Sequence, residues 1–509
     1  MERRAKIVAT LGPASASHEV LSRLIATGVD VVRLNLSHGD HAWHRERIAT
    51  VRAVAEEAER HVPVVLDLMG PRYRLGQLDE PRRLERGDRV RLGAPGDGID
   101  LPLDSPEILD HLAIGERVLI DQGLVELEVS AVESDAVVAR VLSAGQVSTR
   151  KGINLPDTEL GFEITPKDRA DIRFAVETGV DYIAASYVGR ARDLAAVRDE
   201  VHAAGGSIPL IAKLERARAI DHIDEIVAAA DALMVARGDL GVEVPIYRVP
   251  VLQKRILGAG RRVGKPVIVA TQMLESMMSQ PRPTRAEATD VANAVFDGAD
   301  ALMLSGETAA GDFPIEVVSM MDRIIREAEL YQRSALTGLG DLRRSGSVQP
   351  GEMIGSVLGP LADTTIEVPD MVSAAAVYTA RELDARLLVA FSQSGFTGRL
   401  IARYRPSTRI SVFTVTPEVA RRLALVWGIT PVVLEDPPAQ LDEVVEQVDQ
   451  ELIARQMAAP GDLIVVLMGA PIPERRQTNL LRVHRVRAEV PPEEGSAEAV
   501  AAGASENGE

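Results

Sequence analysis

The chain has 509 residues, 46% of them hydrophobic but only 3% aromatic, enough for two to four domains filled by aliphatic side chains and alanine. A formal net charge of −18 disfavours general nucleic-acid binding, and zero cysteine excludes disulfides, thiolate metal sites and a cysteine nucleophile. No apolar run reaches the roughly eighteen residues of a membrane span, and the opening MERRAKIVATLGPAS shows no signal-peptide cleavage site, so a cytoplasmic protein is expected.

In chain order, short aliphatic runs ending on polar or glycine residues alternate with helix-like stretches. The runs are KIVATLG from Lys6, VDVVRLNLS from Val29, VPVVLDLMG from Val62, DYIAASYV from Asp181, IPLIAKLE from Ile208, DALMVARGDLG from Asp231, PVIVATQMLE from Pro266 and DALMLSGET from Asp300. Near-continuous aliphatic runs suit parallel strands buried on both faces, and eight β/α units predict a closed (β/α)8 barrel. The third unit is interrupted: short alternating segments such as GDRVRLG and GERVLIDQGLVELEV predict an inserted all-β lid over residues 76–155. The barrel then comprises residues 1–75 and 156–335, about 255 residues without the insertion, near the usual ~250. Over residues 336–487, ARLLVAFSQSG, TRISVFTV, TPVVLE and DLIVVLMG predict a C-terminal open, doubly wound α/β domain. Residues 488–509 hold six Glu and no Lys or Arg, and predict a disordered acidic tail.

Chemistry is expected at the C-terminal strand ends of such a barrel. Those ends carry Arg33, Asn35, Ser37, Asp67, Ser186, Lys213, Glu215, Asp239, Thr271, Ser305 and Glu307. Glu215 and Asp239 end neighbouring strands. Paired carboxylates without nearby His or Cys favour Mg²⁺ or Mn²⁺, the alternative being two separate surface acids. Lys213 lies two residues before Glu215, hence on the same strand face, where it would stabilise developing negative charge, transfer a proton, or form a Schiff base. Arg33 and Arg74 suit phosphate or carboxylate. His38, His41 and His44 drift off one helical face and read as surface or capping residues. There is no GxxxxGK[ST] loop; GRRVGKPV fails both spacing and final hydroxyl.

RAKIVATLGPAS, VVRLNLSHG, KGINLP, IAKLE, VARGDLGVE, ATQMLESM and RPTRAEATDVANAVFDGADALMLSGET closely resemble the pyruvate kinase family, a likeness running over residues 6–487. The resemblance implies phosphoryl transfer from phosphoenolpyruvate to ADP, giving pyruvate and ATP, the final step of glycolysis, in a homotetramer. It implies that Glu215 and Asp239 hold the divalent metal and that Lys213 stabilises the transferring phosphoryl and the enolate. Thr271 and the Gly238 backbone would bind the substrate carboxylate and Arg33 its phosphate, with Ser186 and Asp239 also on the substrate side. Asn35, Leu36, Ser37, His38, Arg74 and Lys151 would face the nucleotide, and Ser305 and Glu307 would order the water that protonates the enolate. The lid would bring Asp121 and Lys151 over the site.

The chain departs from the family at LDLMGPRYR, residues 66–74, where the usual reading is Leu-Asp-Thr-Lys-Gly-Pro-Glu-Ile-Arg. Family members bind K⁺ through positions matching Asn35, Ser37, Asp67 and the Leu68 carbonyl. Arg72 replaces the usual Glu, and the expectation is a fixed guanidinium charge and no K⁺ requirement. AFSQSGFTGRLIARY matches the family's effector loop, so Ser392, Ser394 and Thr397 are candidate contacts for a phosphorylated effector; the facing loop, GAPIPERRQTN, departs from its usual glycines. Two rival readings stand beside this one: a metal-dependent lyase or aldolase acting on a pyruvate enolate, and a degenerate metabolite-binding regulator.

Overall fold

The computed structural model describes residues 3–344, 367–435, 440–470 and 477–488. The expected acidic tail beyond residue 488, most of the 336–360 linker, and residues 471–476 of the loop facing the effector segment lie outside the described residues.

Strands β1 (Lys6–Thr10), β2 (Val31–Asn35) and β3 (Val64–Asp67) open the barrel. The insertion follows, with β4 (Tyr73–Arg74), β5 (Arg82–Leu84), β6 (Arg89–Gly93), β7 (Leu101–Pro102), β8 (Arg117–Ile120), β9 (Val125–Val132), β10 (Ala136–Val141), β11 (Gly145–Val147) and β12 (Gly152–Asn154). The barrel resumes with β13 (Tyr182–Ala185), β14 (Leu210–Leu214), β15 (Ala232–Ala236), β16 (Val267–Ala270) and β17 (Ala301–Leu304), and closes in the order β1-β17-β16-β15-β14-β13-β3-β2. All its strand pairs are parallel, and all eight runs expected from the sequence are barrel strands.

Two apolar layers hold the barrel. Inward-facing Val8, Val31, Val65, Tyr182, Ala184, Ile211, Met234, Ile268 and Met303 fill its interior. Their strand neighbours, among them Ile7, Val32, Leu66, Ile183 and Leu233, point outward into the larger core against the helices. This two-sided burial is why the strands read as unbroken aliphatic runs.

The insertion forms a seven-stranded sheet, β4-β12-β8-β9-β10-β6-β7, beside a β11-β5 pair, around its own core of residues such as Leu92, Val118, Leu127 and Val137. Its sheet starts at Tyr73–Arg74, ahead of residue 76, because Tyr73 and Arg74 pair with Ile153 and Gly152. The last barrel helix, Pro314–Arg344, runs beyond residue 335.

The chain divides into one unit of Met1–Thr365 with Pro417–Pro431 and a second of Ile366–Thr416 with Val432–Glu509. The C-terminal sheet has the order β20-β19-β18-β21-β22, from β18 (Leu387–Phe391), β19 (Arg409–Thr414), β20 (Ile429–Val433), β21 (Leu463–Met468) and β22 (Leu480–Arg485). The edge strand β22 is antiparallel to β21 and is the fifth strand, beside the four runs named from the sequence.

Candidate active site

The strand period of two builds the site. On β2, β3, β13 and β14, inward-facing Val31, Val65, Ala184 and Ile211 are followed two residues later by Arg33, Asp67, Ser186 and Lys213. A polar layer therefore caps the apolar interior at the C-terminal mouth. It is interlocked. Arg33 Nε donates to Asp67 Oδ2 at 2.7 Å and Arg33 Nη1 to Thr10 Oγ1 at 3.1 Å. Lys213 Nζ donates to Ser186 Oγ at 2.6 Å, and the Ser186 hydroxyl donates to the Leu68 carbonyl at 2.7 Å. Lys213 Nζ also lies 3.3 Å from Asp67 Oδ1 and 3.3 Å from Glu215 Oε2.

One lysine thus serves two carboxylates, and they fare differently. Burial would raise the Asp67 carboxyl, but Lys213 and Arg33 together hold it below its ordinary value. Burial pushes Glu215 up to about 7; Lys213 opposes this and the charge of Asp239 adds to it. Burial would lower the Lys213 ammonium, and Asp67 and Glu215 outweigh it, so Lys213 stays firmly protonated. The ion pair at 3.3 Å and the raised carboxyl are compatible because Asp67 has a second cation in Arg33 and Glu215 does not.

Glu215 is short of positive charge in a second sense. Its Oε1 accepts the Tyr187 amide at 2.5 Å, but its buried Oε2 has no hydrogen-bond partner. A buried carboxylate oxygen left unsatisfied beside another acid marks a cation's place. Among the described residues no group of three or more His, Asp or Glu could hold a metal. A cation here would take Glu215 and Asp239 and complete its shell with water and substrate oxygens, the pattern of a hard divalent ion. The residues fit such an ion.

The lid meets the barrel in a cleft of ≈ 290 Å³ whose lining includes Arg72, Arg74, Asp121, Lys151, Tyr187 and Asp239. Lys151 and Asp121 pair at 2.7 Å. Asn154 of β12 donates to Glu243 Oε1 at 3.1 Å, tying the lid to the short helix Arg237–Glu243 that carries Asp239. That helix was not foreseen at the end of β15; two glycines in seven residues argue against it. Asn35, the last residue of β2, and Leu36 to His38 after it are not among the residues lining this cleft. Asn35 Oδ1 accepts the Ser37 amide at 3.1 Å, Leu36 is buried, and the buried Ser37 Oγ has no partner. His38 is exposed, its carbonyl accepting from His44 Nε2 at 2.7 Å, and His41 pairs with Asp171 at 2.7 Å. His41 and His44 thus serve local structure.

On the opposite side of the mouth, the Gly238 amide donates to Thr271 Oγ1 at 2.7 Å. Glu307 is fully buried and takes the amides of Leu274 at 3.2 Å and Ser305 at 2.7 Å, so it fixes two loops. Tyr187, Thr271 and Gln272 have φ of 60°, 69° and 54°, and in the lid Asp121, Gln122 and Arg150 have 53°, 57° and 64°. Left-handed backbone at non-glycine residues costs about 1–3 kcal/mol each, and four of these residues, Tyr187, Asp121, Gln122 and Arg150, line the cleft, the pattern of a functional site. The sequence reading assigned no role to Tyr187, Glu243, Asn154 or Arg237. The only sequence signal was adjacency, since Tyr187 follows Ser186 and Arg237 precedes Gly238.

Residues 2–318 match the family description "Pyruvate kinase, barrel domain", and residues 370–484 match "Pyruvate kinase, alpha/beta domain". The chain belongs to the pyruvate kinase family. It is 41% identical over 495 residues to the pyruvate kinase of Geobacillus stearothermophilus, covering 95% of this chain and 80% of that protein. To the pyruvate kinase of Mycobacterium tuberculosis it is 41% identical over 491 residues, covering 96% and 99%. A crystal structure of a pyruvate kinase from Cryptosporidium parvum superimposes with a TM-score of 0.85 at 33% identity, covering 95% of this chain and 96% of that one. The function is that of a pyruvate kinase, transfer of the phosphoryl group of phosphoenolpyruvate to ADP. No helix among the described residues is long and apolar enough to cross a membrane.

Proposed function

We propose that phosphoryl transfer takes place where the interlocked polar layer meets the lid cleft, with the residues in the following roles. The observation that carries this reading is the orphaned Glu215 Oε2 beside a protonated Lys213. Glu215 and Asp239 hold Mg²⁺ or Mn²⁺, which when bound neutralises phosphoryl and enolate oxygens. Arg33 and Lys213 flank the phosphoryl group of phosphoenolpyruvate, with Ser186 orienting the Lys213 ammonium. The protein leaves ordinary van der Waals room for a Cβ at Gly238, 3.5 Å from Thr271 Oγ1, so glycine there serves a ligand's approach. The substrate carboxylate sits against the Gly238 backbone and Thr271. Arg74 and Lys151 on the lid side and Asn35, Leu36, Ser37 and His38 on the barrel rim face ADP. The bond from phosphorus to the enol oxygen breaks as one to the ADP β-phosphate oxygen forms. The enolate then takes a proton at its methylene carbon from water ordered at Ser305, whose loop Glu307 anchors.

Arg72 supplies the charge a monovalent ion would bring. It lines the cleft with Asp239, and among the described residues no hydrogen bond or ion pair holds it, while two of the expected K⁺ ligands are engaged elsewhere. Asp67 is bound by Arg33 and Lys213, and the Leu68 carbonyl by Ser186. In the second unit, a phosphorylated effector binds at Ser392, Ser394 and Thr397, where Gly395 (φ 76°) starts the helix Phe396–Ala402. Ser394 is exposed there and buried Thr397 bonds Thr478 at 2.7 Å. The enzyme works in the cytoplasm as a homotetramer.

The test is a pyruvate assay with and without ADP and with and without divalent metal, on wild type and Lys213→Met. Pyruvate should appear only with both, and the variant should lose about 10²–10³-fold or more in kcat. Pyruvate without ADP would mean that water takes the phosphoryl group and would overturn transfer to ADP, and near-normal turnover in the variant would remove Lys213 from its role.

A further inference from the structure

The backbone after β16 is bent where L-residues resist bending. Thr271 and Gln272 have φ of 69° and 54°, and a β-branched residue in the left-handed region is an outlier that its surroundings must hold in place. One side chain does so. Arg237, the first residue after β15, reaches across to β16. Its Nε donates to the Ala270 carbonyl at 3.3 Å, and its Nη2 to the Thr271 carbonyl at 2.7 Å and the Gln272 carbonyl at 3.4 Å. The same nitrogen lies 2.7 Å from Met273 Sδ. A single guanidinium therefore spans three consecutive carbonyls.

The guanidinium is held from the other side. Nη1 pairs with Asp290 at 2.7 Å, on the helix Arg285–Phe296, and the Arg237 side chain is only 12% exposed. The turn so fixed sets the Thr271 hydroxyl between two groups: it accepts from the Gly238 amide at 2.7 Å and donates to the Ala270 carbonyl at 2.6 Å. Arg237 thus grips the strand end that carries Thr271, while its own neighbour Gly238 supplies the amide that meets the hydroxyl.

We infer that Arg237 is a positioning residue for the phosphoryl-transfer site. It clamps residues 270–272 in a left-handed turn that sets the Thr271 hydroxyl against the Gly238 amide, and Asp290 aims the clamp. The inference rests on the reading of Thr271 and Gly238 as substrate contacts. A lysine cannot substitute, because an ammonium is a point charge and cannot present a planar fork to successive carbonyls. Misplacing a catalytic group by about 1 Å costs about 10²-fold in rate, which sets the expected scale.

The experiment is a double-mutant cycle in kcat, with Arg237→Met, Arg237→Lys and Thr271→Ala measured singly and the first combined with the third. Expected are losses of about 10²-fold for Arg237→Met, no rescue by Arg237→Lys, and no further loss beyond about twofold when Arg237→Met is added to Thr271→Ala. Equal losses from Arg237→Met in both backgrounds, or full activity in Arg237→Lys, would overturn the clamp. If Thr271→Ala falls while Arg237→Met does not, the clamp alone is wrong; if Thr271→Ala keeps full activity, the reading of Thr271 is wrong. Should Arg237→Met fail to fold, Asp290→Asn enters the same cycle. It is expected to show a smaller loss that disappears in the Thr271→Ala background, and a loss that persists there would refute the inference.

Discussion

Replacing Glu215 by Gln should make the metal-free protein more stable while abolishing its turnover. The folded carboxyl is pushed up to about 7 from an ordinary 4.5, first by burial and then by Asp239. A group that binds its proton more tightly when folded adds stability below the unfolded value and loses it as pH rises through the folded one. That difference corresponds to about 3 kcal/mol, most of it lost between about pH 5 and pH 8. Protonated Glu and Gln have the same shape, so the two proteins should melt alike near pH 5. With chelator at pH 8, Glu215→Gln should melt a few degrees higher than wild type. Adding Mg²⁺ at pH 8 should stabilise wild type by mass action and leave the variant nearly unmoved. The assay is thermal unfolding of both proteins across this pH range, with chelator and with Mg²⁺. Parallel pH dependence would refute the reasoning, because Lys213 at 3.3 Å would then compensate Glu215 fully.

Turnover at constant ionic strength should persist when K⁺ is exchanged for tetramethylammonium, and Arg72→Glu should make it K⁺-dependent. A drop of about tenfold or more in wild type, worth about 1.4 kcal/mol at the barrier, would show that Arg72 does not replace the ion. Across a panel of sugar phosphates and nucleotides, at least one should shift the phosphoenolpyruvate saturation curve, and Ser394→Asp should abolish that shift by placing a negative charge at the exposed loop. Flat kinetics across the panel would reject the effector site.

The barrel strands were legible because burial on both faces leaves an unbroken aliphatic signature, as in Ala232–Ala236. Arg33, Asp67, Ser186 and Lys213 were legible for a related reason: a polar residue two places beyond an inward aliphatic one must sit at the mouth, and Glu215 follows Lys213 by the same step. What escaped was set by tertiary context. Tyr73–Arg74 is two residues long and shows no alternation, so only its pairing with β12 makes it a strand. The antiparallel β22 has mostly half-exposed or exposed residues, which blurs its period. The Arg237 clamp depends on carbonyls that follow a different strand, and residue type alone cannot reveal backbone φ at Thr271.

Chain direction also separates two groups of aspartates that the sequence presents alike. Asp30, Asp181, Asp231 and Asp300 immediately precede β2, β13, β15 and β17 and accept the amides of Ile7, Val64, Leu210 and Val267 at 2.8, 2.8, 2.9 and 3.0 Å. Each thereby fastens a strand to the preceding strand of the barrel, in the pairs β1–β2, β3–β13, β14–β15 and β16–β17. The same carboxylate at the start of a barrel strand closes the bottom rim and serves stability; at the end of a strand it faces the reaction. Asp67 and Asp239 lie on that far side, where a carboxylate that accepts no backbone amide is left to bind lysine, arginine or a metal. The fourfold recurrence of Asp at strand starts is visible in VDVV, DYIA, DALM and DALM. It marks the end of the barrel where substrate is not handled, and so points to the opposite rim, where Asp67 and Asp239 accept no backbone amide, as the place of the chemistry.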